Sequence, residues 1–509
     1  MPSQNASSRN PAGYTALVDR YSLNVIPNWH RSFISTSGIH RVESSSRGVE
    51  ETYTRKYWPG DSVGDHLEFA LKYDGTNLGI LSAIFQKVAT ADLEAYIKSK
   101  GVGKYARRIW FLYELLTGKT LSLDNLSRGN YVDLIDSKHY YTAHPAPQVR
   151  RQRVNNNLLG DARFCPMIRK TATLRDFEAV NLPDRCRETV AGYTSEQLRR
   201  ALSYLYTKET KSSFEIEHIK PSSNHTEQFI ALLQSAEQQD FCEKTNLIAL
   251  QNQIVDLRFR ESDYRTSQNY VGEAVGWRHE KVHYVCPKPE QIAELMGGLI
   301  AAHRRMDQGL VSAVAHAGAI AYGFVFLHPF EDGNGRIHRF LIHNILARRR
   351  FTPEGIMFPV SAAMLNNRAE YDASLEAFSR PLMELADYSL DEQGRMTVHG
   401  DTALWYRYID LTPQVEALFR FINRTIEAEL VNELTFLANY DTAKQAIQEI
   451  VDMPDRQIDL FILCCHQNNG RLAKSKRTRL FDWLSDDEVA RLEQAVQAAY
   501  HTSDTSGQA

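Results

Sequence analysis

The feature that most constrains the fold is an apolar segment, Ala313–Leu327, which runs directly into a loop that contains two glycines. His316 interrupts this segment, which is shorter than the roughly 20 residues that a membrane-spanning helix needs, so we interpret it as a buried helix. Apolar residues at helical spacing resume after the loop, namely Ile337, Phe340, Leu341, Ile345 and Leu346. The sequence therefore predicts two buried helices, the first over 311–326, joined by a short loop.

The connecting loop contains the run His328-Pro-Phe-Glu-Asp-Gly-Asn-Gly-Arg-Ile-His-Arg339, whose end opens the second helix. Backbone N–H groups at a helix N-terminus have no intrahelical partners and can bind an anion. Gly333 and Gly335 have no Cβ, so the backbone can approach phosphate oxygens closely. Arg336 and Arg339 lie three residues apart on one helix face, so both can reach the same anion.

Two further residues of the loop can supply chemistry. Asp332 offers a hard oxygen ligand of the kind that Mg²⁺ takes together with substrate phosphates. His328 has a side chain that takes a proton near neutral pH. The alternative is that Asp-Gly-Asn-Gly only forms a turn, because both dipeptides are strong hairpin signals. Helical flanks argue against a hairpin, so we expect a phosphate site with a base and a metal ligand.

The run resembles the signature of the Fic family, HPFx(D/E)GNGRxxR, and satisfies it at every fixed position. The resemblance extends from about Lys208 to Leu382. It implies a fold class that is mainly α, with the Fic-fold helical core and a small β-hairpin flap. It also implies an enzyme that transfers a nucleoside monophosphate, usually AMP from ATP, to a Ser, Thr or Tyr hydroxyl of a target protein and releases pyrophosphate.

The resemblance also implies a role for each residue of the loop. His328 is the expected catalytic base that takes the proton from the target hydroxyl. Asp332 is the expected ligand of a Mg²⁺ cofactor. Phe330 is expected to pack inward and fix the loop. The residues expected to bind the ATP phosphates are Gly333, Asn334, Gly335, Arg336 and Arg339.

A β-hairpin is predicted between Tyr264 and Pro289, because two strand-like segments flank a turn that contains glycine. This segment, about 264–289, resembles the flap of the Fic family, where a target segment docks by strand pairing. Val271 and Gly272 are the best-matched flap positions. Ser379 stands where some relatives have an asparagine near the nucleobase, so the choice of base stays open.

A second motif precedes the flap. Ser212 and Glu215 have the spacing of a capping box and predict the start of a helix over about 210–220. Ser213 and Glu217 then fall one turn apart. They resemble the inhibitory motif (S/T)xxxE(G/N) of Fic proteins, although His218 departs from its last position.

The inhibitory motif implies that Glu217 pairs with Arg339 and occupies the place of the γ-phosphate, which would make the enzyme autoinhibited. A charge-assisted Glu–Arg bond of this kind is strong and removes a phosphate ligand. One alternative is that Glu217 is a solvated surface residue. Another is the same spacing at 46–50, which lacks the flanking resemblance.

The 509 residues are enough for about three domains. We expect an α-rich but mixed N-terminal region of unknown role over 1–190, a Fic domain over 191–390, and a C-terminal helical, winged-helix-like domain over 402–501. The polar segment 391–401 is the expected linker. A basic run between Arg471 and Arg479 makes nucleic acid an alternative partner of the C-terminal region.

The net charge of −3 gives no general attraction to nucleic acid or to anionic lipid. Six scattered cysteines without a CxxC pair indicate a reduced compartment, and the polar start of the chain lacks an apolar signal core. We therefore expect a cytoplasmic protein without a membrane partner. The expected partners are ATP and a target protein, which can be the chain itself, and a homodimer is compatible with the sequence.

Other functions on the same site stay open. The phosphate cradle does not read the base, so UTP, GTP or CDP-choline are alternative substrates. The Doc branch of the family phosphorylates its target but typically has lysine in place of Gly335. Removal of AMP from modified proteins, with Glu217 positioning water, is another alternative. A non-catalytic interaction module is disfavoured by the complete set of His328, Asp332 and Arg336.

Overall fold

The computed structural model describes residues 9–36, 40–45, 48–276, 279–353 and 356–501. The strands of its N-terminal part are β1 (Arg9–Ala12), β2 (His30–Ser35), β3 (Arg41–Ser45), β4 (Gly48–Tyr53), β5 (Val132–Asp133), β6 (Gln148–Val149) and β7 (Val154–Asn155). The helices up to residue 216 are α1 (Gly13–Tyr21), α2 (Val63–Phe69), α3 (Leu78–Lys87), α4 (Thr90–Lys100), α5 (Lys104–Thr117), α6 (Ala172–Ala179), α7 (Leu182–Ala191) and α8 (Ser195–Ile216).

The rest of the chain is mainly helical. The helices are α9 (Ser223–Gln234), α10 (Lys244–Ile254), α11 (Pro289–Asp307), α12 (Ala313–Leu327), α13 (Asn334–Arg348), α14 (Val360–Asn366), α15 (Arg368–Met383), α16 (Ala403–Arg407), α17 (Thr412–Arg424), α18 (Val431–Ile450), α19 (Asp455–His466), α20 (Lys474–Leu480) and α21 (Asp486–His501). The strands are β8 (Tyr270–Gly276), β9 (His279–Val285), β10 (Tyr388–Leu390) and β11 (Met396–Val398). This composition confirms the predicted mainly α fold class.

The chain forms two compact units. The first comprises Met1–Ala179, Ser223–Phe351 and Asn367–Phe419, and the second comprises Val180–Ser222, Thr352–Asn366 and Arg420–Ala509. The division into three domains with the boundaries given above stays a prediction. In the part of the chain that the structure describes, no helix is long and apolar enough to cross a membrane.

In the N-terminal part of the first unit, a four-stranded sheet has the order β1-β2-β4-β3, in which β2 and β4 run parallel. Asp74 is fully buried beside this sheet. One of its carboxylate oxygens accepts hydrogen bonds from the Ser32 hydroxyl and from His30 Nδ1, and the other accepts one from the Tyr14 N–H at 3.0 Å. A buried carboxylate therefore joins the sheet to α1.

The helical core of the first unit contains the two helices that the apolar pattern predicts. Almost every residue of α12 is buried, and α12 packs against both α11 and α13. The described loop 328–333 joins α12 to α13, which confirms the predicted helix–loop–helix. In addition, β8 and β9 pair in antiparallel fashion, which confirms the predicted hairpin.

The segment 391–401 contains part of a β-ribbon, and its role as a linker stays a prediction. β10 and β11 pair across it as an antiparallel ribbon, with Leu390 opposite Met396. Gly394 makes the turn in a left-handed conformation, φ 75°, which favours glycine. Met396 and Val398 are buried on one face of the ribbon, so the polar composition of the segment reflects only its turn.

In the second unit, α8 begins well before the predicted capping box. The Thr194 hydroxyl accepts a hydrogen bond from the Gln197 N–H at 3.2 Å, and Gln197 Oε1 accepts one from the Thr194 N–H at 3.0 Å. This box starts the helix, so the predicted start at Ser212 is wrong and Ser212 lies inside α8. Ser213 is buried in the last turn, and Glu217 is the C-cap.

The C-terminal part of the second unit is built from helices. Phe461, Phe481 and Leu492 are fully buried in its core, between α19 and α21. The described residues 403–501 contain no strand, so this region lacks the β-wing of a winged helix. The basic run between Arg471 and Arg479, for which nucleic acid was an alternative partner, includes the short helix α20.

Candidate active site

His328 stands at the point where α12 turns into the loop. It is the C-cap of α12, and its backbone is left-handed, with φ 49° and ψ 58°. Its N–H donates to the Phe324 carbonyl at 2.9 Å. A left-handed conformation is uncommon for a residue other than glycine, and such backbone strain clusters at functional sites. The turn directs the chain away from the helix axis at the histidine itself.

The His328 ring has a defined tautomer. Its Nδ1 lies 3.2 Å from the Val325 carbonyl oxygen, which can only accept, so Nδ1 carries the hydrogen and Nε2 keeps its lone pair. Burial of the ring lowers the pKa of His328 to about 4, although the bond to Val325 favours the protonated form. At neutral pH the ring is therefore a neutral imidazole whose Nε2 can accept a proton.

The loop after His328 is closed by a side chain of α13. Asn334 Nδ2 donates to the Phe330 carbonyl at 2.7 Å, and Asn334 Oδ1 accepts from the Phe330 N–H at 3.1 Å. Phe330 is fully buried, which confirms that it packs inward. The amide of Asn334 therefore holds the loop, and what this residue offers to an anion is its backbone N–H.

The N-terminus of α13 has the features of an anion site. Gly333 precedes the helix with φ 89°, and a Cβ at this position would lie 2.9 Å from Val255 Cγ1. The first intrahelical bond runs from the Ile337 N–H to the Gly333 carbonyl at 2.9 Å. Within the described ranges, the N–H groups of Asn334 and Gly335 make no hydrogen bond. These donors and the helix dipole favour a phosphate group at this place.

Both arginines of the motif lie on α13 and are buried. Arg336 Nη1 donates to the Ile254 carbonyl at 2.8 Å, and its Nη2 donates to Asp332 Oδ1 at 2.8 Å. Arg339 follows three residues later, at 2% exposure. The structure thus places Arg336 beside the expected metal ligand, and the phosphate contacts of both arginines stay predictions.

Asp332 fits a Mg²⁺ site. Its side chain is 40% exposed, its Oδ1 accepts from Arg336 and from the Gly333 N–H, and its Oδ2 has no hydrogen bond to any described residue. Across the described ranges, no three His, Cys, Asp or Glu side chains converge as a metal site. A single carboxylate oxygen suits Mg²⁺, which takes its other ligands from substrate phosphates and water.

Two polar residues upstream support the loop and were missed in the sequence. Glu261 Oε1 accepts from the Glu331 N–H at 2.9 Å, and burial raises the pKa of Glu261. Gln251 is fully buried, and its Nε2 donates to the Asp332 carbonyl at 3.4 Å. Because these contacts join distant parts of the chain, no local sequence pattern could have indicated them.

The flap positions lie on the hairpin. Val271 pairs with Tyr284 and Gly272 pairs with Val282, with a β-bulge between the two pairs. The Val271 side chain is 43% exposed, and Tyr284 anchors β9 through a hydrogen bond from its hydroxyl to the Phe326 carbonyl. The hairpin thus presents exposed strand residues and is fixed to the end of α12.

The remaining predicted site residues lie elsewhere. Ser379 is buried on α15. His338, the other histidine of the motif, is fully buried in the core, and burial lowers its pKa to about 3. Ser213 and Glu217 belong to the second unit, so the inhibitory pairing stays a prediction. Of the rival motif at 46–50, Ser46 and Arg47 lie outside the described residues.

Comparison with known proteins finds similar sequences and a structural neighbour. The protein adenylyltransferase fic-1 of Caenorhabditis elegans is 28% identical over 174 residues, which are 32% of this chain and 30% of the relative. Its counterpart in Caenorhabditis briggsae is 38% identical over 112 residues, 22% of this chain and 18% of the relative. The matched segments thus span less than a third of the length of these curated relatives. A Fic family protein from Desulfovibrio desulfuricans G20 is a structural neighbour with 16% identity, 65% and 87% coverage of the two chains, and a TM-score of 0.35.

The match to a family profile falls on the site itself. Residues 241–346 match the profile described as the Fic/DOC family. This segment contains the flap, the loop 328–333 and nearly all of α13. The sequence signature, the helix–loop–helix and the profile coincide, so residues 241–346 form a domain of the Fic/DOC family.

Proposed function

We propose that this protein is a Fic-type nucleotidyltransferase that transfers AMP from ATP to a Ser, Thr or Tyr hydroxyl of a target protein. One observation carries the proposal. The same segment presents a neutral histidine with a free Nε2 lone pair and, six and seven residues on, the N–H groups of Asn334 and Gly335, which make no hydrogen bond to a described residue. The curated relatives named protein adenylyltransferase support AMP as the transferred group.

In the proposed reaction, the target hydroxyl oxygen attacks the α-phosphorus of ATP. The new bond joins that oxygen to the α-phosphorus, the bond from the α-phosphorus to the bridging oxygen of the β-phosphate breaks, and pyrophosphate leaves. The hydroxyl proton passes to His328 Nε2. Such a base contributes on the order of 10²–10⁴ in rate.

The chain's own residues would stabilise the charge that develops on the phosphates. The N–H groups of Asn334 and Gly335 are fixed donors, and fixed donors in a partly buried site are effective because they need no reorganisation. Arg336 would exchange its hydrogen bond to Asp332 for hydrogen bonds to the outer phosphates. Asp332 Oδ2 would then hold Mg²⁺, which supplies positive charge to the phosphate oxygens when bound.

We further propose that Glu217 restrains the reaction. Its support is the motif Ser213–Glu217, in which Ser213 is buried near the end of α8 and Glu217 is its C-cap. A glutamate that pairs with Arg339 would remove a ligand of the γ-phosphate and misplace the α-phosphorus. A cytoplasmic location is also proposed, on the ground that all six cysteines are buried free thiols.

The test is incubation of purified Glu217→Gly protein with each labelled nucleotide and a host lysate. Labelled proteins are then identified by mass spectrometry, and the expected product is a hydroxyl residue whose mass has increased by that of one AMP group. The matched control is the same protein with His328→Ala. Labelling from UTP, GTP or CDP-choline would show that the substrate is that nucleotide and not ATP. A phosphate adduct would indicate a kinase. Absence of every adduct would contradict the transferase proposal.

A further inference from the structure

Arg265 lies in the predicted flap segment 264–289, five residues before β8 begins at Tyr270, and it is 3% exposed. Its guanidinium donates three hydrogen bonds, all to backbone carbonyl oxygens. Nε donates to His328 at 2.7 Å, Nη1 to Ser267 at 2.6 Å and Nη2 to Pro287 at 2.6 Å. The Arg265 N–H also donates to the Pro329 carbonyl at 2.9 Å.

The environment of this guanidinium is unusual for a buried cation. No carboxylate of the described residues forms an ion pair with Arg265. A buried charge is costly unless its hydrogen bonds are made, and burial lowers the pKa of Arg265. Packing alone would be served as well by an apolar side chain. The three carbonyl acceptors therefore account for an arginine at this position.

The acceptors belong to two functional segments. Ser267 and Pro287 flank β8 and β9, so together they form the base of the flap. His328 and Pro329 begin the loop of the active site. A planar guanidinium donates in fixed directions, so it sets both the distance and the orientation between its acceptors. Arg265 thereby fixes the flap base and the peptide of His328 in one frame.

We propose that Arg265 is a positioning residue, which holds His328 in register with a target segment docked on the flap. This inference rests on the proposed function, because it concerns the alignment of the target hydroxyl with Nε2. Among the described residues, Arg265 makes no hydrogen bond to the N-terminus of α13 or to Asp332, so we expect it to have no part in nucleotide binding. Its loss should therefore affect transfer and leave ATP affinity intact.

The variant that tests this is Arg265→Lys, which keeps the charge but cannot reach three divergent acceptors with one ammonium group. In the Glu217→Gly background we expect the transfer rate to fall by roughly tenfold to hundredfold, the effect of a misplacement of about 1 Å. The Kd for ATP should stay within about twofold, since the phosphate donors are untouched. Arg304→Lys is the matched control, because Arg304 is exposed and pairs with Glu243 at 2.6 Å.

Amide hydrogen exchange provides a readout that does not depend on activity. In Arg265→Lys, peptides from the flap base and from 324–331 should both exchange faster, while the Arg304→Lys protein should match the parent. Arg265→Gln keeps two N–H donors, so its hydrogen-exchange rate in these peptides should lie between those of the parent and of Arg265→Lys. The glutamine variant replaces the lysine variant in the test if the latter is poorly folded.

Three results would overturn the proposal. They are a transfer rate near that of the parent, a loss of ATP affinity equal to the loss of rate, and exchange that is unchanged in either segment. His328→Ala in the same background shows whether the parent's labelling is catalysed at this site, which separates failure of the Arg265 proposal from failure of the proposed function. If the parent transfers no label, the function fails, and the exchange data alone decide whether Arg265 couples the two segments.

Discussion

Arg336 Nη2 donates to Asp332 Oδ1 at 2.8 Å, so the cation expected to bind a phosphate is paired with the carboxylate expected to bind the metal. Asp332 precedes α13, Arg336 lies four residues later in its first turn, and the Arg336 side chain is almost fully buried. Removing one member of such a pair leaves the charge of the other less well compensated. Binding of Mg-ATP would give each of them a new partner of opposite charge.

Asp332→Asn should abolish the dependence of ATP binding on Mg²⁺. The amide cannot hold the metal, and it loses the charge-assisted bond to Arg336, so ATP without metal should bind as well as in the parent or better. We expect Mg²⁺ to improve the Kd of the parent at least about tenfold, or 1.4 kcal/mol, and not to improve that of the variant. Calorimetry with and without Mg²⁺ measures both.

The matched control for that experiment is Asp372→Asn. Asp372 also pairs with an arginine four residues away, Arg368, at 2.9 Å, but on α15 and half-exposed. Its replacement should leave the Mg²⁺ effect intact. If Asp332→Asn retained the full Mg²⁺ effect, Asp332 would not be the metal ligand.

His328→Ala should reduce transfer by about 10²–10⁴ while ATP affinity is unchanged, because His328 moves a proton and holds no phosphate. Rates measured in the Glu217→Gly background, with ATP binding measured in parallel, separate the two effects. Transfer near the parental rate would mean that another group is the base.

The pKa of His328 predicts an unusual pH profile. Because burial lowers this pKa to about 4, Nε2 stays unprotonated down to that pH, and the base is lost only as the pH falls through about 4. A histidine of ordinary pKa near 6.5 would keep only about a tenth of its base form at pH 5.5. Rates at pH 5.5 and 7.5 should therefore differ little on account of His328. NMR titration of the ring, assigned with His328→Ala, should give the low value directly, and a midpoint near 6.5 would contradict it.

The sequence predicted those parts of the site that depend on local pattern. The apolar period around 313–327 and 337–346 predicts two helices because burial of one face needs only nearby residues, and the glycines between them indicate the N-terminus of α13. The orientation of Asn334 could not be predicted, because an amide at a helix start can face the loop or an anion equally well.

Contacts between residues far apart in the chain could not be predicted from the sequence. Arg265 and His328 are 63 residues apart, and Gln251 and Asp332 are 81 apart. No spacing rule links such residues. Because the sequence around Arg265 is polar, it indicates an exposed arginine and gives no sign that the side chain is buried. The false helix start at Ser212 has another cause, since serine and glutamate three apart also occur inside helices.

Asp74→Asn should destabilise the first unit. All three partners of Asp74, on Tyr14, Ser32 and His30, donate to it, and an asparagine replaces one acceptor oxygen with a donor amide. Leaving buried donors unpaired costs about 1–3 kcal/mol each, so we expect a loss of roughly 2–4 kcal/mol. The midpoint temperature of thermal unfolding should fall by several degrees, and the midpoint urea concentration should fall as well. Asp124→Asn, at an exposed position, is the control and should have no effect.

The proposed brake makes an asymmetric prediction for Glu217 and Arg339. If Glu217 occupies the place of the γ-phosphate, then Glu217→Gly should raise self-modification or target modification well above that of the parent. Arg339→Ala should not, because it releases the glutamate but also removes a phosphate ligand. Catalysis needs the reacting atoms about 3–3.5 Å apart and in line, so a misplaced α-phosphorus is enough to silence the enzyme.

This asymmetry separates a competitive brake from a helix end that merely stabilises the second unit. In the latter case, Glu217→Gly would lower the thermal midpoint and leave transfer unchanged. Parallel assays of the two variants with labelled ATP decide between them, with Glu215→Gly as the control, because Glu215 is exposed in the last turn of the same helix. A glycine there loosens α8 to a similar degree without touching the proposed brake. Equal activity of the parent and Glu217→Gly would remove the autoinhibition proposal and leave Glu217 a helix cap.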